Sequence, residues 1–330
     1  MTSKSAATLA QAIAARLSDA LLPGDAPFTA EGLDKAGAFV LAAAARRNGG
    51  DPVIAIESVT GAATERFMRI AVINDDMPFL VDSIASTISA QGLGIDRLVH
   101  PVLAVRRDGE GQLVAVLDGD AAGEKRESMI YLETRRADAR QRRELESALR
   151  STLADVRVAV ADWPRMQAAM GEDADGLSDG EGAALLRWFK DGMLTQLGHV
   201  TRRRDGSESE VLGICRKSAK KLLGEVSWDR AFAWFDMGGK GQGGARRPPL
   251  IVKSNTISQV HRRTPLDLFI VPVFDKGKIE ALSVHAGIWT SAGLAAAPTQ
   301  VPRMRAQLND LMGRFGFAPQ GHAGKALVHA

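Results

Sequence analysis

The sequence predicts an α+β protein built on antiparallel sheets, from three observations. Short apolar runs with partial alternation read as strands. Asp/Gly turns at Asp108–Gly111 and Phe274–Lys278 join neighbouring runs as hairpins. Amphipathic stretches such as 138–153 and 302–315 supply helices to cover the sheets. At 330 residues and 45% hydrophobic content, the chain can fold as two or three ordinary domains.

The elements follow in order. Residues 1–58 read as a helical segment, with an alanine-rich run over 31–47 that stops at Gly49-Gly50. Residues 59–170 form the next domain, opening on the strand candidate 66–74. Asp75-Asp76-Met77-Pro78 follows as a turn, with Pro78 at the first helical position and Asp75 or Asp76 available as a cap. A helix with Phe79, Leu80, Ile84 and Ile88 runs to Gly92. The strands 97–106, 113–117 and 127–134 come next, and then a charged helix over 138–153 with Leu145, Leu149 and Leu153 spaced by four. Val156–Trp163 fits either a closing strand or a continuing helix. This order predicts an antiparallel sheet with helices on one face.

Residues 171–182, GEDADGLSDGEG, have almost no apolar content and read as a linker. Residues 183–330 form a second α+β module. A helix over 185–197 runs into a strand, four strands follow at 211–216, 250–254, 268–274 and 281–289, and the helix 302–315 sets Met304, Leu308, Leu311 and Met312 on one side.

Composition excludes several functions. The formal charge of +3 is too small for the field that non-specific nucleic-acid binding needs, and the short basic runs at 202–204 and 246–247 lack interleaved aromatics. With Cys215 as the only cysteine, no intrachain disulfide or cysteine metal cluster forms, and that thiol reads as strand core. The six histidines lack metal-ligand spacing, so a metal site is not expected. His100, before Pro101, reads as a packed or hydrogen-bonded structural residue. No run approaches the roughly 18 apolar residues of a membrane span, and the first residues lack the apolar core of a signal peptide, so a cytoplasmic protein is expected.

Two motifs fail on inspection. Gly239–Gly244 fits G-x-G-x-x-G, but Pro248-Pro249 soon after prevents the helix that would meet a pyrophosphate. Gly324-Lys325-Ala326 has Pro319 and Ala326 where a phosphate-binding loop needs Gly and Ser/Thr. A polar cluster of Lys253, His261, Arg262 and Asp267 fits an anion or carboxylate ligand, or an inter-domain set of salt bridges.

The block 74–84 (NDDMPFLVDSI), with 92–95 and 100–108, resembles the opening ACT-like domain of the large bacterial NAD-dependent glutamate dehydrogenases. Segments 154–166, 184–188, 260–267, 287–291 and 316–327 are similar to that family's following sequence, in the family's order. Residues 191–200 and the glycine-rich 236–249 depart from its pattern. The resemblance implies an ACT-like antiparallel-sheet sandwich followed by a PAS-like α+β module. It implies a regulatory and assembly segment of an enzyme that converts L-glutamate, NAD and water to 2-oxoglutarate, ammonium and NADH.

The catalytic domain and its NAD site would lie beyond residue 330, leaving this segment without catalytic residues or cofactor; the chain reads as a fragment. Its partners would be the downstream catalytic region and other subunits, with no nucleic acid and no membrane. The alternative is a free-standing amino-acid-binding sensor. ACT-like domains often hold effectors at the turn into the first helix, here Asp76, Met77, Pro78 and Phe79. Phe79, however, stands where many effector-binding relatives have glycine.

Overall fold

The computed structural model describes residues 3–60, 66–117, 124–238, 248–318 and 320–329. The G-x-G-x-x-G run, Arg246-Arg247 and Pro319 lie outside them. By contacts the chain divides into two units, Met1–Val156 with Gln259–Arg262, and Arg157–Ser258 with Arg263–Ala330.

The first unit contains α1 (Ser3–Asp19), α2 (Ala30–Ala44), β1 (Val53–Thr60), β2 (Arg66–Asp75), α3 (Leu80–Ala90), β3 (Ile95–Val99), β4 (Val102–Arg107), β5 (Leu113–Val116), β6 (Lys125–Arg135) and the start of α4 (Ala139–Gly176). Its sheet is antiparallel, in the order β1-β2-β6-β4-β5, with β3 also on β6. The expected single strand 97–106 breaks at His100-Pro101, since proline cannot donate to a ladder. Its halves β3 and β4 pair with successive parts of β6.

The first 58 residues are not a separate helical segment, because 53–60 is the strand β1. The alanine-rich composition upstream hid its VIAI core. The helices α1 and α2 cover one face of the sheet, where Ile13, Leu17, Phe39 and Val40 join Ala71, Ile73, Met129 and Tyr131 in one apolar cluster. Each such large side chain contributes about 1.5–3 kcal/mol on burial. Gly37 lets the helices cross closely, since a Cβ there would lie 2.6 Å from the Ala10 carbonyl oxygen.

Side chains alternate along a strand, so Ile70, Val72, Ile130 and Leu132 face the other way, yet they are also buried. Thr87 of α3 bonds Thr152 of α4 at 2.8 Å, and these helices bury Leu80, Ile84, Ile88, Leu145, Leu149 and Leu153. Helices thus cover both faces of the sheet, not one, which explains the continuously buried run Ile70–Asn74.

Helix α4 resolves Val156–Trp163 as helix and continues through Gly176, past the expected start of the linker. Residues 171–182 form its end, a short turn, and the start of α5 (Gly180–Trp188), whose N-cap Asp179 accepts from the Gly182 amide at 3.0 Å. Met170 and Ala174 are buried with Leu185, Leu186 and Phe189, and this packing offsets the weak helix propensity of the glycines. Composition misled because only two residues of this turn of helix need to be apolar.

The second unit carries β7 (Leu194–Arg203), β8 (Glu208–Gly213), α6 (Glu225–Gly238), β9 (Leu250–Ile257), β10 (Pro265–Asp275), β11 (Lys278–Trp289), α7 (Ser291–Ala295), α8 (Met304–Phe315) and α9 (His322–His329). The sheet order is β8-β7-β11-β10-β9, all antiparallel. This is the five-stranded sheet with flanking helices that the sequence predicts for residues 183–330. Lys276 and Gly277 both have positive φ in the tight β10-β11 hairpin, the conformation that suits the twist of the strands. Helix α6 was not expected from the sequence. On α8, Met312 is buried, while Met304 and Leu311 stay exposed.

Candidate functional site

Strand β2 leads into the N-terminal end of α3 through Asp76, Met77, Pro78 and Phe79. Neither aspartate caps the helix, and Pro78 lies before its first turn. Asp75 ends β2 and pairs with Arg47 at 2.8 Å. Asp76 donates its amide to the Arg126 carbonyl and accepts from Ser128 Oγ at 2.8 Å. His100 Nε2 lies 2.9 Å from that hydroxyl, so His100 is hydrogen-bonded, and burial pushes its pKa below the ordinary value. The N-cap position belongs to Phe79, in the left-handed region at φ 71°, with no side-chain cap. A bulky residue there is strained by about 1–3 kcal/mol.

Residues 259–262 hold that strained turn. The Phe79 ring packs on the His261 ring, with centroids 5.4 Å apart. His261 donates its amide to Ser83 Oγ at 2.8 Å, its Nδ1 lies 2.9 Å from Asp82 Oδ2, and Gln259 accepts from Thr152 at 3.1 Å. His261 is itself left-handed, at φ 63°. Asp82, third residue of α3, brings negative charge to the helix end where unpaired amides favour it.

In the second unit, His199 of β7 and His285 of β11 are cross-strand partners, fully buried, with rings stacked 4.7 Å apart. His285 Nε2 is 2.7 Å from Asp173 Oδ2, and Ser283 donates to the same oxygen. The Gln196 amide is 3.0 Å from His285 Nδ1. His199 Nδ1 lies 3.2 Å from His285 Nδ1, and Glu210 is 3.6 Å from His199 Nε2. Burial, with the His285 charge second, lowers the His199 pKa to about 3, and Asp173 opposes the shift. His199 is therefore neutral at pH 7. Among the described residues, no group of three His, Cys, Asp or Glu could hold a metal.

A family model described as "Glutamate dehydrogenase, ACT1 domain" matches residues 29–149. These residues are a glutamate dehydrogenase ACT1 domain. The match begins at Thr29, the N-cap of α2, and ends within α4. The chain is 30% identical over 285 residues to the NAD-specific glutamate dehydrogenase of Halomonas elongata, covering 78% of this chain and 17% of that protein. The NAD-specific glutamate dehydrogenase of Pseudomonas aeruginosa is 30% identical over 286 residues, with the same coverages. The chain thus spans about a sixth of the length of the curated relatives it matches. A solved structure titled as an RNA-binding light-oxygen-voltage receptor aligns over 92% of this chain and 95% of its own at 11% identity, with a TM-score of 0.17.

Within the ACT1 domain, 76–79 form one turn and His261 lies against it. The expected cluster of Lys253, His261, Arg262 and Asp267 is two sites. Lys253 pairs with Asp267 at 2.7 Å across β9 and β10, while His261 pairs with Asp82, and Arg262 donates its amide to Val260. Sequence proximity suggested one cluster, but residues 259–262 belong to the first unit, and Lys253 and Asp267 to the second. Cys215 is buried, its sulfur 2.8 Å from where a Cβ on Gly198 would stand. Among the described residues, no helix is long and apolar enough to cross a membrane.

Proposed function

We propose that this chain is a regulatory and assembly segment of an NAD-specific glutamate dehydrogenase, whose conversion of L-glutamate to 2-oxoglutarate takes place elsewhere in the parent protein. The single observation that carries this reading is the match itself: 78% of the chain aligns with 17% of enzymes of that name, and residues 29–149 match that enzyme's ACT1 domain. The NAD belongs to the parent's catalytic region, and the partners of this segment are the rest of the parent chain and its other subunits.

We also infer that the turn 76–79 has a structural role in this protein. An effector carboxylate at the α3 N-terminus would compete with Asp82 for the helix dipole and with the His261 ring for Phe79. The histidine pair, enclosed and with His199 neutral, reads as a buried hydrogen-bonded support for the second sheet.

The purified chain is expected to form no NADH from L-glutamate and NAD. Turnover that copurifies with the chain through successive columns would overturn the proposal.

A further inference from the structure

Arg47 is 3% exposed, at the start of the connection from α2 to β1. Its Nε donates to the Asp51 carbonyl at 2.8 Å, and its Nη1 reaches both Asp75 Oδ1 and Glu127 Oε1 at 2.8 Å. Its Nη2 has no acceptor among the described residues. The neighbouring Arg107 differs: Nε and Nη2 bond Glu127, and Nη1 bonds the Ala44 and Gly111 carbonyls. Two guanidinium groups share one buried carboxylate, yet only one has every nitrogen occupied. A buried charged donor left without an acceptor is unfavourable.

Arg47 lines a cavity of about 730 Å³, a size that suits a small ligand. Its walls are the connection after α2, the end of β2 at Asp75, the β4-β5 hairpin and the start of β6. The inner four charges, Arg47, Arg107, Asp75 and Glu127, cancel. Exposed Arg46 and Lys125 also line the cavity, and neither has an ion pair among the described residues; of the other acidic side chains there, Glu124 pairs with Arg106, Asp108 accepts from the Glu110 and Gln112 amides, and Glu110 is exposed. Burial works against the charge of Arg47, but Asp75 and Glu127 more than offset it, so the guanidinium stays charged.

We propose that this cavity binds a small carboxylate, with one ligand oxygen accepting from Arg47 Nη2 and the charge balanced by Arg46 and Lys125. A carboxylate suits the site better than a phosphate dianion, because Asp75 and Glu127, held on the neighbouring Nη1 of the same guanidinium, repel a second negative charge. The site stands on the geometry of the ACT1 domain alone and holds whether or not the parent is the proposed dehydrogenase.

The test is calorimetry on the 330-residue chain with three probes, glycine, glutarate and inorganic phosphate, at matched ionic strength. Alongside it, the Arg47 side-chain N–H signals are followed by NMR. Glycine or glutarate is expected to saturate one site and slow exchange of the Arg47 protons. Arg46→Ala with Lys125→Ala, both exposed and so compatible with folding, is expected to weaken binding about three- to tenfold. Three results would each overturn the proposal. These are no carboxylate saturation up to about 10 mM, binding of phosphate alone, or carboxylate binding that leaves both the Arg47 signals and the double variant's affinity unchanged.

Discussion

Acidification is expected to destabilise the second unit through one identifiable residue, His199. Its folded pKa of about 3 lies well below the ordinary 6.5 because the ring is buried beside His285. A depressed histidine pKa means that the unfolded chain takes up a proton that the folded one refuses. The stabilisation is therefore complete above pH 6.5 and is lost progressively as pH falls from there to about 3. Between pH 7.5 and 5.0 the loss from this group is about 2 kcal/mol, at 1.36 kcal/mol per pH unit. That is a large part of the roughly 5–15 kcal/mol that holds a typical domain folded. The charged and titratable groups facing the ring are His285 on β11, Asp173 on α4 and Glu210 on β8. Urea unfolding at the two pH values, on wild type and His199→Gln, isolates the effect. Carboxylates away from the ring, and His100, contribute equally to both proteins. The variant should be less stable at pH 7.5 but lose about 2 kcal/mol less on acidification. Equal losses in the two proteins would refute the claim that a neutral buried His199 carries the pH dependence.

Other outcomes follow from the same contacts. Gly213→Ala should cost about 3 kcal/mol or more in a denaturant melt, because φ is 58° and the new Cβ would stand 2.1 Å from the Leu197 carbonyl oxygen. A double-mutant cycle on Phe79→Gly and His261→Ala should give a coupling of about 0.5–1.5 kcal/mol, since the rings meet directly; strict additivity in thermal melts would remove the clamp. Glu172→Pro should destabilise by about 3 kcal/mol, because it breaks a continuous helix; an unchanged melt would restore 171–182 as a linker.

Local signals in the sequence carried much of the fold. The hairpin at Phe274–Lys278, the strands β2, β6, β10 and β11 and the helices around Leu80 and Leu145 were legible because each has its own periodicity or turn chemistry. Failures came where long-range contacts decide. Asp75 looked like a helix cap, but Arg47, 28 residues earlier, holds it at the end of a strand. The acidic run after Met170 looked like a linker because the partners that bury Met170 and Ala174 lie on other elements. His199 and His285 are 86 residues apart, and only the β7-β11 register makes them neighbours. The same applies to Arg47, Arg107 and Glu127, whose meeting at one cavity has no signature in local spacing. One signal was available and informative: Phe79 at a position where glycine is common in ACT-like domains does take the left-handed conformation that glycine favours.

The proposed role of this segment is to regulate and assemble a dehydrogenase without performing its chemistry. It is tested most directly by deleting the matching segment from the Pseudomonas aeruginosa relative and restoring it with this chain. Sedimentation and glutamate saturation curves should be measured for the intact, deleted and restored proteins. The account predicts that deletion alters the assembly state or the saturation curve while turnover persists, and that restoration recovers the intact behaviour. A deleted protein that keeps both its assembly and its saturation curve, or one that stays folded but loses all turnover, would contradict it.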